Sequence, residues 1–176
     1  EIIIDVLHCG ICGSDMHAWH GHDARRVPPL ILGHEAVGIA RSGKHAGKRV
    51  ALNPLMTCGK CEYCSKGSEH LCPERELIGM RVPGAFASSV AISEENLYPL
   101  PDNLAFDVAA LAEPLAVCVH AVNLALKTGT PKHVLVIGGG AIGLLESIVL
   151  VPSIPFLKDP LWTDGRQRDG RVEPDR

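Results

Sequence analysis

The stretch His133-Val-Leu-Val-Ile-Gly-Gly-Gly-Ala-Ile-Gly143 carries the clearest fold signal in the chain. Its continuous apolar run is typical of a buried parallel strand, and the pattern Gly138-x-Gly140-x-x-Gly143 follows at once, ahead of a helical segment. Glycines at this spacing permit a tight turn and close approach of a pyrophosphate, whose charge the helix N-terminus stabilises. The stretch therefore predicts the first strand, turn and helix of a dinucleotide-binding α/β domain.

An Ala-, Leu- and Val-rich segment precedes this stretch and is interrupted by Pro114. Proline disfavours the helical conformation of the residue before it and is tolerated at the first helical position. We therefore expect two helices, at about 104–111 and 114–126. Glu113 then lies at the joint between them, where its carboxylate can point into a cleft.

The first hundred residues have a different character, with short apolar runs separated by glycine-rich turns. The segments 2–7, 36–40, 48–52 and 85–92 are predicted to be strands of a small β-rich domain. The tail from Val151 is different again, because it is rich in Pro, Arg, Asp and Gly and offers no second strand. We expect most of it to be disordered, or to be the product of an altered reading frame.

Four of the seven cysteines lie in the pattern Cys58-x2-Cys61-x2-Cys64-x7-Cys72. Zinc prefers tetrahedral thiolate ligation, and four cysteine ligands leave no coordination position for a substrate. The pattern therefore predicts a structural zinc that orders this loop. Free thiols, a disulfide-bonded secreted domain and a nucleic-acid-binding zinc knuckle are the alternatives. Neither an export signal nor a basic stripe accompanies the cysteines, which favours the structural zinc.

Composition and charge restrict the partners. The net charge of −3 provides no basic field for nucleic acid or anionic lipid. No apolar run reaches the roughly 18 residues of a membrane span. The chain begins without Met, and its first residues lack the basic flank of a signal peptide. We expect an interior piece of a longer cytoplasmic protein that binds neither nucleic acid nor membrane.

Six short motifs occur along the chain, and each is weak when taken alone. They are Cys-Gly-Ile-Cys-Gly-Ser-Asp (9–15), Gly-His-Glu (33–35), the four-cysteine loop (58–72), Gly-Ala-Phe-Ala (84–87), Glu-Pro-Leu (113–115) and Gly-Gly-Gly-Ala-Ile-Gly (138–143). Together and in this order they resemble the medium-chain zinc-dependent alcohol dehydrogenases, particularly the branch of sorbitol, threonine and related polyol dehydrogenases. The resemblance covers about residues 1–150.

The resemblance implies the ligands of a catalytic zinc. Cys12, and not Cys9, is the first ligand, and His34 is the second. Glu35 lies beside the metal and either ligates it directly or exchanges with water. Glu113 occupies the position at which the alcohol dehydrogenases proper use a cysteine, and it binds the zinc or holds its water.

The resemblance also implies a reaction. Zinc acidifies the hydroxyl of a small-molecule alcohol, and a hydride passes to the nicotinamide of NAD or NADP. The proton leaves through Ser14 and then His17, while Asp15 orients the ring of His34. The alternatives are that Ser14 caps a turn and that His17 is an ordinary surface residue.

The implied fold class is mixed, with a β-rich GroES-like catalytic domain followed by the truncated start of a Rossmann α/β domain. We assign residues 1–103 to the GroES-like domain and 104–150 to the interdomain helices and the first βα unit of the Rossmann domain. Residues 151–176 form the disordered or aberrant tail. The implied cofactors are two zinc ions, one catalytic and one structural, and NAD or NADP.

The implied function is oxidation of a secondary alcohol, polyol or amino-alcohol to a ketone, and the full-length form is expected to be a homo-oligomer. One strand and one helix cannot bury their apolar faces as an independent sheet, so we expect this chain alone to have little or no activity. The alternative is a non-catalytic zinc-binding module of the same family. A metal-free reductase of this superfamily conflicts with Cys12, His34 and the four-cysteine loop.

Overall fold

The computed structural model describes residues 1–153 and, for the backbone alone, residues 162–163. The chain divides into two compact units, Glu1–Glu113 and Pro114–Arg176. None of the helices in the described part of the chain is long and apolar enough to cross a membrane.

The first unit is built around an antiparallel sheet. Its strands are β1 (Ile2–Gly10), β2 (Glu35–Ala40), β3 (Arg49–Leu52), β4 (Leu55–Met56), β5 (Glu76–Leu77), β6 (Ser89–Ile92) and β7 (Leu97–Pro99). Five of them form one sheet in the order β6-β1-β2-β3-β7, and β4 pairs with β5 separately. The short helices are α1 (Gly13–Trp19), α2 (Glu62–Ser65) and α3 (Phe106–Ala109). The strand predicted at 85–92 forms only in its second half.

Successive side chains along the strands point to opposite faces of this sheet, and both faces are packed. Ala36 and Val50 belong to the larger core, whereas their neighbours Val37 and Ala51 pack on the opposite face with residues of α3 and the segment before it. A period of two is what an extended strand imposes on its side chains. The larger core comprises Ile4, Ala36, Ala40, Val50, Leu52, Ile78, Ala85, Val90, Ile92 and Leu97.

The helix that follows begins earlier than the sequence predicts. α4 spans Ala112–Leu126, so Glu113 lies in its first turn and not at a joint between helices. The first four N–H groups of a helix have no intrahelical acceptor, and Pro114 therefore enters the first turn without costing a hydrogen bond. The position of Glu113 is consequently fixed by a regular helix.

The second unit contains the rest of α4, β8 (Val136–Ile137), α5 (Ala141–Ser153) and β9 (Trp162–Thr163). β8 is shorter than predicted, and its parallel pairing with β9 shows that the expectation of no second strand was wrong. Val122, Val136 and Leu150 form the core of this unit. Residues 151–153 continue α5, and the rest of the predicted disordered tail, apart from β9, lies outside the described residues.

Candidate metal centres and the glycine-rich turn

The loop between β4 and β5 brings its four thiols together. One ligand atom from each of Cys58, Cys61, Cys64 and Cys72 lies within 4.8 Å of the others. The Sγ atoms of Cys61 and Cys64 are 3.5 Å apart, and those of Cys58 and Cys72 are 3.6 Å apart. A tetrahedral zinc with bonds of roughly 2.3 Å holds its sulfurs about 3.8 Å apart, so the thiols fit this ion.

The thiols of this loop differ in acidity. Backbone N–H groups of Lys60 and Cys61 lower the pKa of the Cys58 thiol to about 7. Desolvation and the neighbouring Cys61 thiol raise the pKa of the Cys64 thiol to about 11. The thiolate is the form that ligates a metal, so Cys58 is prepared for ligation near neutral pH. All seven cysteines lie within residues 1–153, and all are free thiols.

A second donor group forms where β1 and β2 meet. Cys12 follows β1, and Glu35 begins β2 immediately after His34. The antiparallel register pairs Gly10 with Glu35, so the two segments lie side by side. One ligand atom from each of Cys12, His34 and Glu35 lies within 4.8 Å of the others. One thiol, one imidazole and one carboxylate suit a zinc ion that keeps a position open for substrate.

Two glycines allow this close approach. A Cβ atom on Gly10 would come within 2.2 Å of Glu35 Oε2, so the carboxylate lies against the backbone. Gly33 adopts a φ of +92°, and a Cβ there would lie 2.5 Å from the ring of Phe86. A side chain at Gly10 would displace the Glu35 carboxylate, and one at Gly33 would be strained by the positive φ and would meet the Phe86 ring.

A buried carboxylate joins the two ligand segments. Asp15, only 2% exposed, accepts a hydrogen bond from the Cys12 N–H through Oδ2 (3.1 Å) and from the Gly33 N–H through Oδ1 (3.3 Å). Its Oδ1 is also 3.5 Å from Nδ1 of His34, which is long for a hydrogen bond. That nitrogen is buried and has no other partner. Asp15 therefore faces Nδ1 and leaves Nε2 of His34 as the nitrogen available to a metal.

Glu113 lies near these donors without joining them. Its carboxylate is not among the groups that lie within 4.8 Å of Cys12, His34 and Glu35. Desolvation and the negative charge of Glu35 raise the pKa of Glu113 to about 7. The carboxyl group of Glu113 therefore holds a proton more tightly than a free glutamate does.

The expected proton route is only partly assembled. Ser14 is half-buried, and its Oγ accepts a hydrogen bond from Nη2 of Arg26 (3.2 Å), which leaves the hydroxyl hydrogen free to donate. His17 is exposed and contacts the ring of His22. Within residues 1–153 the structure records no hydrogen bond between Ser14 and His17.

Arg26 holds the segment that carries Ser14, although no sequence motif singles it out. Its side chain is 1% exposed, and it donates to the carbonyl oxygens of Gly79 (2.9 Å) and Ser14 (2.7 Å) as well as to the Ser14 hydroxyl. Asp23 supplies the counter-charge, with its Oδ2 3.3 Å from Arg26. The neighbouring Arg25 is 63% exposed, and nothing in the sequence distinguishes the two arginines.

The glycine-rich turn after β8 leads directly into helix α5. Gly138 adopts a φ of +103°, and a Cβ on Gly143 would lie 2.1 Å from the Gly138 carbonyl oxygen. Gly140 has open space around it. α5 begins at Ala141, so its first N–H groups lack intrahelical acceptors and remain available to an anion.

Comparison with known proteins identifies the family to which this chain belongs. The family model of the alcohol dehydrogenase GroES-like domain matches residues 1–102. The chain belongs to this family, and the resemblance to the medium-chain zinc-dependent dehydrogenases is confirmed. The expected fold class, a β-rich GroES-like domain followed by the beginning of a Rossmann α/β domain, is confirmed as well.

Three individual proteins show how similar this chain is to members of the family. An uncharacterised zinc-type alcohol dehydrogenase-like protein of Haemophilus influenzae is 37% identical over 171 residues, which cover 92% of this chain and 49% of that protein. The D-arabitol-phosphate dehydrogenase of Enterococcus avium is 36% identical over 151 residues, 82% of this chain and 43% of the enzyme. A crystal structure of a zinc-binding dehydrogenase from Sinorhizobium meliloti 1021 bound to NADP has a TM-score of 0.75 at 34% identity, covering 87% of this chain and 46% of that one. The chain spans about half the length of the relatives it matches.

Proposed function

We propose that this chain is the zinc-binding half of an oxidoreductase that oxidises a secondary alcohol, polyol or amino-alcohol to a ketone with hydride transfer to NAD or NADP. The observation that carries the proposal is the convergence of Cys12, His34 and Glu35 within 4.8 Å, from segments that are distant in the sequence. A bound zinc would supply Lewis acidity that lowers the pKa of the substrate hydroxyl. Cys12 and His34 are the proposed ligands, with Glu35 or Glu113 as the third.

The residues around these ligands have proposed roles of their own. Asp15 fixes the orientation of His34 and the position of the Cys12 backbone, because it accepts hydrogen bonds from both ligand segments. Ser14 accepts the substrate proton and passes it to His17, an imidazole that is open to solvent. The hydrogen bond from Arg26 occupies one lone pair of Ser14 Oγ and leaves the other lone pair and the hydroxyl hydrogen for this relay.

We assign a separate structural zinc to Cys58, Cys61, Cys64 and Cys72, so the full complement is two zinc ions per chain. Sulfur spacings of 3.5 and 3.6 Å support the assignment. The ion would order the loop between β4 and β5 and would leave no position for substrate.

The nicotinamide cofactor is assigned to the second unit. Gly138, Gly140 and Gly143 would let the pyrophosphate approach the N-terminus of α5. The proposed domain division is 1–103 for the GroES-like domain and 104–150 for the interdomain helices and the first βα unit. The NADP complex of the Sinorhizobium relative supports a nicotinamide partner, and we propose that the full-length form is a homo-oligomer.

Metal analysis of variants tests the ligand assignment. Two zinc ions per chain are expected for the wild type, and Cys12→Ser and Cys61→Ser should each retain one. Cys9→Ser is the matched control, because Cys9 lies three residues before Cys12 and is packed against the larger core. A Cys12→Ser chain that keeps both ions, or a Cys9→Ser chain that loses one, contradicts the assignment.

The second candidate is a zinc-binding module without catalytic activity. Its support is the four-cysteine loop, whose thiols lie within 4.8 Å of one another and would leave a bound zinc no position for substrate. Assay of the 1–176 chain with polyols and NAD or NADP separates the two functions. We expect little or no turnover by this chain alone, and ordinary dehydrogenase rates would overturn that expectation. Turnover by a chain extended to the length of the relatives, lost in its Cys12→Ser variant, would support the enzyme.

A further inference from the structure

The turn that follows α1 brings three imidazoles together outside the two centres described above. The helix ends one residue before His20. Gly21 then adopts a left-handed φ of +74°, which reverses the chain. The N–H of His22 donates back to the carbonyl oxygen of His17 at 2.8 Å. This hydrogen bond folds His22 over the last turn of the helix, beside His17 and His20.

The three rings are neighbours, although they are not among the described groups whose ligand atoms already lie within 4.8 Å of one another. The ring centroids of His20 and His22 are 5.9 Å apart, and those of His17 and His22 are 6.4 Å apart. Two imidazoles on one tetrahedral zinc, with bonds of roughly 2.0–2.1 Å, have centroids about 5 Å apart. All three side chains are exposed, so rotation about their side-chain bonds can close the remaining distance. His17 and His20 are three residues apart, a spacing that places side chains next to each other on a helix.

The surroundings favour nitrogen ligation. The carboxylate of Asp23, the residue after His22, is already held by Arg25 at 2.8 and 2.9 Å and by Arg26 at 3.3 Å. The donors that this turn offers are therefore imidazoles. Imidazole suits zinc, nickel and copper, whereas magnesium and calcium prefer oxygen ligands.

We propose that His17, His20 and His22 form a third metal site, which binds an exchangeable zinc, nickel or copper ion from solution with water completing the coordination. The site shares no residue with the Cys12–His34–Glu35 group or the four-cysteine loop. Binding of the ion is independent of the proposed enzymatic function. One consequence rests on that function: a bound ion occupies the imidazole of His17 and withdraws it from the proton route.

Titration with zinc alone tests the site. The zinc-loaded chain is dialysed against metal-free buffer and titrated with Zn²⁺ in a calorimeter. We expect one equivalent beyond those retained, and loss of this equivalent, or weakening by about tenfold or more, when two of the three ligands are removed in His20→Gln/His22→Gln. His133→Gln is the control, because His133 is exposed in the other unit. The proposal is overturned if the wild type binds no additional equivalent of zinc. It is also overturned if the double variant binds that equivalent as the wild type does.

A measurement on the unmodified chain avoids any effect of the substitutions on folding. Substoichiometric Ni²⁺ should broaden the ring resonances of His17, His20 and His22 before those of His8 and His133. Uniform broadening of the exposed histidines overturns the site. Cys12→Ser separates this proposal from the proposed function, because that variant should lose a retained zinc and keep the additional equivalent.

Discussion

The four-cysteine loop and the Cys12–His34–Glu35 group offer two different ways of building a metal site. The loop draws all its donors from one short segment between two two-residue strands, and its thiols meet through local turns. The other group draws its donors from the end of β1 and the start of β2, and those donors meet only because the sheet forms in register. We therefore expect the loop to depend on a bound ion for its order, and the dispersed group to depend on the fold.

The two sites also differ in what surrounds them. Cys61 and Cys64 are half-buried, and their Sγ atoms lie 3.5 Å apart in a short loop helix. His34 and Glu35 are 5% and 8% exposed, and the buried carboxylate of Asp15 lies behind them. A dispersed site arranged in this way retains its shape without the ion, because hydrogen bonds and core packing already fix the segments.

The largest effect is expected at the four-cysteine loop. Cys61→Ser should release the loop zinc, whose binding in small zinc domains is worth about 10–16 kcal/mol at pH 7. Hydrogen exchange of the amides at 59–71 should rise towards the unfolded rate, while the amides of β1, β2 and β3 stay protected. Retained protection at 59–71 after loss of the zinc would mean that the loop is held by packing, and the comparison between the two sites would then fail.

Replacing Asp15 tests whether hydrogen bonds within the fold hold the dispersed site in shape. Asp15→Ala removes the acceptor from the N–H groups of Cys12 and Gly33. Each buried unsatisfied donor costs about 1–3 kcal/mol, so we expect a loss of about 3 kcal/mol in urea unfolding. The variant should also lose the zinc assigned to Cys12 and His34 while keeping the loop zinc. Asp15→Asn, which retains one acceptor oxygen, should recover part of the stability; an Asp15→Ala chain as stable as the wild type would refute the role.

Glu113 gives the metal-free dispersed site a pH dependence with a defined sign. Burial and Glu35 raise the pKa of Glu113 from 4.5 to about 7, so the folded chain binds the proton more tightly than the unfolded chain. The free energy of unfolding should therefore fall as the pH rises from about 5 to 8, by of order 2 kcal/mol after allowance for partial exposure. The measurement compares Cys12→Ser, which lacks this metal, with Cys12→Ser/Glu113→Gln. The double variant should show a flatter profile, and identical profiles would exclude Glu113 as the source.

The sequence anticipates local features better than those assembled across the fold. The spacing of the four cysteines predicts their convergence, because the donors sit in one loop with glycines that permit tight turns. The meeting of Cys12, His34 and Glu35 could be expected only by resemblance, since nothing in the spacing of residues 12 and 34 indicates that β1 and β2 pair. The assignment of all these residues as zinc ligands stays a prediction until metal is measured.

The boundaries of helices and strands also depend partly on contacts that are not local in the sequence. A proline at the first helical position predicts that Glu113 lies between two helices. A proline in the first turn loses no hydrogen bond wherever in that turn it stands, and the helix therefore begins at Ala112. The strand β9 is not predicted by the sequence, because two residues are too few to show a periodic pattern. Its pairing with β8 is a long-range contact.

Arg25 and Arg26 are adjacent residues of the same type, and only the fold distinguishes them. Arg26→Lys keeps the positive charge but cannot reach the Gly79 carbonyl, the Ser14 carbonyl and the Ser14 hydroxyl together. We expect a loss of about 1–2 kcal/mol in urea unfolding, because at least one buried acceptor is left unpaired. Arg25→Lys, with an exposed side chain on the same carboxylate, should stay within about 0.5 kcal/mol of the wild type. Equal effects of the two substitutions would mean that burial of Arg26 contributes nothing to the segment that carries Ser14, and that segment would then owe its position to the sheet and Asp15 alone.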